Sequence, residues 1–568
     1  MKRPTKLLLS FFLLCLLSCH TTSSPIKLEP TSTTKIELHN GEVVNADIEK
    51  FERNTFNLKN GQTLRKNDVK TVTFISATSK QPDSAKSEPV VPPDGGIKNL
   101  LLQAEQATRK YPHANGIIIL DDGYHTLNPD GTRKYRYHLI AKIITNKTRG
   151  WADQSLYFEE ERERVKVIMG RSITPDGKVI PLDLATIQIT EPARDLEFFG
   201  RGKILSFNLP GVENGCIVEY IYEMETFNPW DKNIFEPGFF FQDLEPVLHS
   251  RITVTIPADK SLNYFTQQIP DEARQPEISS AENTKSYTWE LKNIDPIIEE
   301  PSMPDRSDLV PRLVCSMFKD WDYLHQWGGN ILRERIKITP EISETVRQLT
   351  KDAPGLEEKI AALYYFTQRN IRYISIKGSM SSSWGGHPAQ ETLQNKYGDC
   401  IDKSILFCTM LKEIGVESYP VTLKTNGAGT AIRNIPVMDA NHAITEVRLN
   451  GKRFYLDPVT RDFRYPYFNE GDHGISVVNE ITGEINFIEV PPPSHNLNSY
   501  HTEIILQANG DTEGRVQADY TGPYEANLRS FWETVPAEQR QDVYQRNINN
   551  QPGRPVNGIQ NRQSGNAP

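Results

Sequence analysis

Cys400 stands in the run Asn395-Lys396-Tyr397-Gly398-Asp399-Cys400-Ile401-Asp402-Lys403-Ser404. A Gly-Asp turn there delivers a thiol to the start of a helix. Asp399 is a good N-cap residue, and Asp402, three residues on, fits a capping box, which makes Cys400 the first helical residue. The positive end of the helix dipole favours thiolate, the form of cysteine that attacks a carbonyl carbon. The two Asp side chains oppose that charge, so the chemistry requires a basic partner.

A hairpin supplies one. Residues 441–449 alternate apolar and polar, Asn450-Gly451 is a two-residue turn, and 452–457 form the return strand. That turn sets Leu449 opposite Lys452, Val447 opposite Phe454 and Thr445 opposite Leu456. Val447, Leu449, Phe454 and Leu456 then share a core face. His442 and Asp457 fall together as diagonal neighbours, about 7–8 Å apart at the backbone and close enough for side chains to meet. A carboxylate beside an imidazole beside a thiol is the pattern of an activated nucleophile: the imidazole takes the thiol proton and the carboxylate orients the ring. A lone His on a strand, or a lone Asp before Pro458, is ordinarily structural; only the joint pattern points to chemistry. Cys408, two turns beyond Cys400, lies on the apolar face with Ile401, Ile405, Leu411 and Ile414 and reads as core. Gly415 ends the helix.

Gly-Asp-Cys at a helix start, Asn441-His442-Ala443 about 40 residues later, and Tyr455-Leu456-Asp457-Pro458 after a hairpin resemble the transglutaminase-like superfamily of papain-type cysteine enzymes. The resemblance implies Cys400 as nucleophile, His442 as general base and then acid, and Asp457 as orienter. It covers roughly residues 340–470. The backbone N–H of Cys400 is a natural oxyanion donor. Trp384 and His387, in the Ser/Gly-rich loop before the cysteine, are candidate oxyanion or substrate-loop residues, although packing and a plain loop are their ordinary roles. The β-rich region before it resembles the uncharacterised β domain that precedes such cores in exported bacterial proteins. Its landmarks are Pro175-Asp176-Gly177, Leu209-Pro210-Gly211, the Ile217-Val218-Glu219-Tyr220 strand and Phe241-Gln242.

The elements that must position these residues belong to a multidomain α+β chain. Its 568 residues suggest about three or four domains. The expected order is a signal peptide at 1–19, a tether at 20–34, a small SH3- or Sm-like β-barrel at 35–76, and a linker at 77–96. A β-sandwich at 97–300 follows, with regular turns and an opening helix over 97–110. The catalytic region, a Cys-bearing helix packed on an antiparallel sheet, occupies 301–490. A partial C-terminal β domain at 495–548 and a disordered tail at 549–568 complete the chain.

The first residues read as an address. Lys2, Arg3 and Lys6 precede an apolar run too short for a comfortable membrane span, and then comes Leu16-Leu17-Ser18-Cys19. This resembles a bacterial lipobox, which implies lipid attachment at Cys19 and a membrane anchor. The implied location is the bacterial cell envelope, at the outer membrane facing the periplasm, with His20 after the cysteine. The formal net charge of −9 argues against a nucleic-acid partner. The cysteine and histidine spacings contain no zinc motif, so no metal and no cofactor is expected. The expected partner is a peptide or protein substrate. The expected function is acyl transfer or hydrolysis at amide bonds through a thioester, with hydrolysis slightly favoured over cross-linking. The competing function is a non-catalytic envelope scaffold that binds protein or glycan.

Overall fold

The computed structural model describes residues 32–40, 42–46, 48–52, 55–65, 68–76, 96–191, 202–374 and 384–549. The leader with Cys19, nearly all of the tether and linker, and the tail from 550 lie outside the described residues. The chain divides into two units, 1–91 and 92–568.

In the first unit, Ser32–Leu38 pairs with Val43–Asn45 and with Val69–Ser76. A second antiparallel sheet joins Ile48–Glu52, Thr55–Leu58 and Thr63–Arg65. Gly61 turns the Asn60-Gly61 corner at φ +84, a conformation glycine adopts without a Cβ penalty. Ile36, Leu38, Leu58 and Leu64, drawn from both sheets, share one small core.

The second unit opens with the helix Gly96–Lys110 and an eight-stranded sheet. Across that sheet run Val179–Pro181, Glu163–Ile173, Ile217–Thr226, Arg133–Ile143, Gly116–Leu127, Val247–Pro257, Thr284–Ile294 and Glu277–Ser280. Neighbours are antiparallel except Gly116–Leu127 with Val247–Pro257. The run Ile117-Ile118-Ile119-Leu120 is apolar throughout because both faces are covered. Ile117 and Ile119 pack with Leu100, Ala104 and Ala107 of the helix. Ile118 packs with Phe158, Leu205 and Phe207, from a three-stranded sheet on the opposite face.

The region that holds Cys400 is helix on sheet. Five antiparallel strands run in the order Lys452–Leu456, His442–Leu449, Glu417–Leu423, Ile475–Asn479, Glu484–Ile488. The helices Pro340–Thr350, Leu356–Asn370 and Cys400–Glu413 bury Ile342, Ile360, Leu363, Ile405 and Met410 against Ala443, Val447 and Leu456. The other face of the sheet is also covered: Val421, Leu423, Ile444 and Val477 form a second cluster. The sequence places an aromatic junction at 321–327. The structure has a helix there, Trp321–Arg335, capped by the Asp320 side chain, which accepts from the Tyr323 N–H at 2.8 Å. The expected strand after Asn370 is two residues long, Arg372–Tyr373, and pairs in parallel with Tyr397–Gly398; residues 375 and 376 lie outside the described set. At the C-terminal end, the hairpin Asn498–Leu506 with Thr512–Tyr520 is followed by two helices, Pro523–Thr534 and Arg540–Asn549.

Candidate active site

Cys400 begins its helix as the local sequence requires. The Asp399 side chain accepts from the N–H groups of Ile401 and Asp402 at 3.1 and 3.2 Å, and the Asp402 carboxylate accepts from the Asp399 N–H at 3.1 Å. The box is tight. A Cβ on Gly398 would stand 2.6 Å from the Asp402 Cβ, so only glycine lets the strand come this close. The cap uses the N–H groups beyond Cys400, so it does not engage the N–H of Cys400 itself. Cys216, Cys315 and Cys408 are buried, while Cys400 is partly exposed. Burial pushes the Cys408 thiol up to about 12. Ser404, one turn on from the cysteine, donates to the Ile444 carbonyl at 2.8 Å and bonds the Thr445 hydroxyl at 2.8 Å. That tie sets the cysteine helix against the strand that begins at His442.

The hairpin register is the one the turn dictates: Leu449 opposite Lys452, Val447 opposite Phe454, Thr445 opposite Leu456. His442 Nε2 lies 3.5 Å from Asp457 Oδ2. The Cys400 side chain is among the neighbours that push the same imidazole towards its charged form. Asp457 is almost wholly buried and firmly held. Its carboxylate accepts from the Val459 N–H at 2.9 Å and the Thr460 hydroxyl at 3.3 Å, and its carbonyl accepts from the Tyr364 hydroxyl at 2.9 Å. Burial works against charge on His442, but Asp457 outweighs it, aided by Cys400 and Asp472, and the imidazole is raised to about 11. A ring held charged beside the thiol is the counter-ion a thiolate needs.

Sequence reasoning missed Asp472. Its Oδ2 stands 3.8 Å from the same Nε2. It sits in the short 3₁₀ turn Glu470–Asp472, capped by Asn469. Nothing local marks it, since loop carboxylates are common and only the sheet's return through 475–479 brings it back. Burial, with Asp457 and Glu470 nearby, pushes Asp472 up to about 7 against the pull of His442. The ligand-type atoms of His442, Asp457 and Asp472 all lie within 4.8 Å of one another.

The two Asp residues that oppose a thiolate are largely neutralised by their surroundings. Burial and the neighbouring Asp402 raise Asp399 to about 8, towards the uncharged form. Asp402 is paired with His387: the His387 N–H donates to Oδ1 at 2.7 Å, and Nδ1 lies 3.1 Å from both oxygens. That hydrogen bond raises the His387 imidazole towards its charged form. His387 therefore meets the capping box rather than acting as a free loop residue. Trp384 is partly buried and lines a pocket with Trp321, Trp327, Met438, Asp439 and Glu480. Lys403 is wholly buried, its ammonium donating to the Ile371 carbonyl at 2.8 Å and the Gln368 carbonyl at 3.4 Å.

Two family models match the chain. Residues 343–458 match the Transglutaminase-like superfamily, and residues 129–298 match a domain of unknown function with a solved structure, DUF3857. The segment that carries Cys400, His442 and Asp457 is thus homologous to the transglutaminase-like superfamily at low identity. No match is found among the curated proteins. A candidate protease from Parabacteroides distasonis has a solved structure that is 16% identical, covers 70% of this chain and 78% of its own, and has a TM-score of 0.57. It shares this fold. A candidate cysteine protease from Cytophaga hutchinsonii (10% identical, 70% of this chain and 94% of its own) has a TM-score of 0.20. The periplasmic domain of TgpA from Pseudomonas aeruginosa (13% identical, 41% and 76%) has a TM-score of 0.17. Neither score indicates a shared overall arrangement.

Proposed function

We propose that this chain is a cysteine-dependent acyl-transfer enzyme acting on peptide or amide bonds, with Cys400 as nucleophile, His442 as base and acid, and Asp457 as orienter. The observation that carries it is the imidazole of His442, which Asp457, with its Oδ2 3.5 Å from Nε2, and Cys400 both push towards the charged form. In this reading the Cys400 sulfur attacks the carbonyl carbon and the oxyanion forms near the Cys400 N–H. The imidazolium gives its proton to the leaving amine, and a thioester remains. Water then releases the acid, with His442 taking a proton from it; an amine acceptor instead gives a new amide. Hydrolysis is the form we favour. Trp384, which lines a pocket with Trp321, Trp327 and Met438, is the residue we assign to the substrate loop. The Ser18-Cys19 leader supports an envelope protein held at the outer membrane by lipid on Cys19. We read the 35–76 sheets as a small barrel and the sheets of 97–300 as a sandwich, serving as spacer or docking domains in such a chain.

The test is alkylation and turnover. Iodoacetamide should label Cys400 ahead of the buried cysteines, with a rate at pH 6 that falls at least about tenfold in His442→Ala, because the thiolate loses its counter-ion. Cys400→Ala should abolish both the adduct and any cleavage of a casein panel. Equal labelling of wild type and His442→Ala would rule out the activated thiol. Labelling without any acyl-enzyme or turnover would favour a binding scaffold.

A further inference from the structure

Asp472 is the group that acyl transfer leaves over. The residue is 1% exposed, and its Oδ2 has no hydrogen-bond donor. His442 Nε2 lies 3.5 Å from Asp457 and 3.8 Å from Asp472. A single Nε2–H can serve one carboxylate, so a second buried carboxylate is left without a proton to accept. Both separations exceed an N–H···O bond of about 2.9 Å. They lie close to the roughly 3.3 Å edge of a tetrahedron of ligands at about 2.0 Å from a zinc-class ion. Two carboxylates with an imidazolium leave one net negative charge in a buried place. Two carboxylates, a neutral imidazole and a divalent ion leave none.

We propose that His442 Nε2, Asp457 Oδ2 and Asp472 Oδ2 form a binding site for a divalent cation of zinc class, and that its occupation switches the thiol centre off. The binding half stands on the ligand geometry alone; the switch rests on the reading of Cys400, His442 and Asp457 as catalytic. One imidazole and two carboxylates with open positions for water suit zinc or manganese. Among the described residues, the ligand atoms that converge within 4.8 Å are those of His442, Asp457 and Asp472, so the Cys400 sulfur is not one of them. His442 keeps 14% of its side chain exposed. Binding displaces the proton from Nε2 into solvent. The ring then carries its remaining proton on Nδ1 and its Nε2 lone pair on the ion, so it has no lone pair to receive the Cys400 proton. Lys403, whose charge interacts with Asp457, opposes the ion, and Glu470, beside Asp472, favours it.

ZnCl2 titrated calorimetrically into the full chain tests the site. Wild type should bind one equivalent, with an affinity that rises between pH 6 and 8 by about tenfold per pH unit for each proton displaced. Cys400→Ala should bind equally well, although it cannot turn over, which separates failure of this site from failure of the acyl-transfer reading. Asp472→Asn and His442→Ala should each lose at least about tenfold in affinity. Loading with Co2+ provides a check on the unmutated chain, which should show no thiolate charge-transfer band. Absence of bound zinc, unchanged affinity in folded Asp472→Asn and His442→Ala, loss of binding in Cys400→Ala, or a cobalt–thiolate band would each overturn the proposal.

Discussion

Lys403 offers the sharpest test of the electrostatics beneath the thiol. Its ammonium is wholly enclosed, with the Ile371 and Gln368 carbonyls as acceptors and Asp457 as its charged neighbour. Burial lowers it to about 8, against the pull of Asp457. In the unfolded chain the same group titrates near 10.4. Between those values the unfolded state binds the proton and the folded state does not, so stability rises with pH across that window. A difference of roughly 2.4 units at 1.36 kcal/mol each gives about 3 kcal/mol. Below pH 8 both states are charged and the penalty is constant; above 10.5 both are neutral and it is gone.

Lys403→Met removes this titration. Its stability at pH 7 is a balance, because relief of the buried charge opposes two carbonyls left without a donor, at about 1–3 kcal/mol each. Its pH dependence is not a balance. Urea unfolding of both chains, followed by tryptophan fluorescence from pH 7.5 to 10.5, should show wild type gaining about 3 kcal/mol on the variant over that range. Tyrosine and thiol titrations occur in both chains and cancel in the difference. Parallel curves would refute the reasoning: they would mean that Lys403 keeps an ordinary ammonium in the folded chain.

Three further outcomes are expected. Arg448 bonds the fully buried Glu446 at 2.7 Å; Arg448→Met should cost about 3 kcal/mol, most of it recovered by adding Glu446→Gln, as read by urea midpoints. Gly386 sits at φ +59, and a Cβ there would meet Ile405 Cδ1 at 2.4 Å, so Gly386→Ala should destabilise by about 2 kcal/mol or more in a melting experiment. Asp472, raised to about 7, binds a proton more tightly folded than unfolded. Wild type should therefore lose stability relative to Asp472→Asn as pH rises from 4 to 7, with no further change above it.

What the sequence made legible was local. Asn450-Gly451 fixed the hairpin register pair by pair, because a two-residue turn permits one pairing. Asp399, Asp402 and Gly415 marked both ends of the cysteine helix, and Gly415 takes φ +76 as a C-terminal residue should. Contacts made by chain return were not legible. Asp472 reaches His442 from a 3₁₀ turn thirty residues downstream, with no periodicity to announce it. A lysine on a helix reads as solvent-facing, but the Lys403 helix packs its whole middle, and the carbonyls at the end of Leu356–Asn370 take the ammonium. The Trp321–Arg335 helix has its signal in Asp320, but the aromatic cluster after it masks the helical period.

The charges around Cys400 fall into pairs, and the pairing explains how a cysteine flanked by aspartates can carry a thiolate. Asp402 is held by His387, and Asp399 is pushed towards its neutral form by burial against Asp402. Asp457 has His442 3.5 Å away, and its charge acts on Lys403 as well. With the imidazole charged, a thiolate formed in the proposed reaction would have a counter-ion, and the helix N-terminus would add to it. Asp472 alone breaks the pairing, because Nε2 has one proton for two carboxylates. A buried carboxylate in that position must either take up a proton or attract a cation. In the proposed enzyme the first would keep the imidazolium paired with Asp457 and leave the thiol centre free to react. The second would draw Nε2 and Asp457 away from the thiol, so on that reading Asp472 would decide whether acyl transfer can occur.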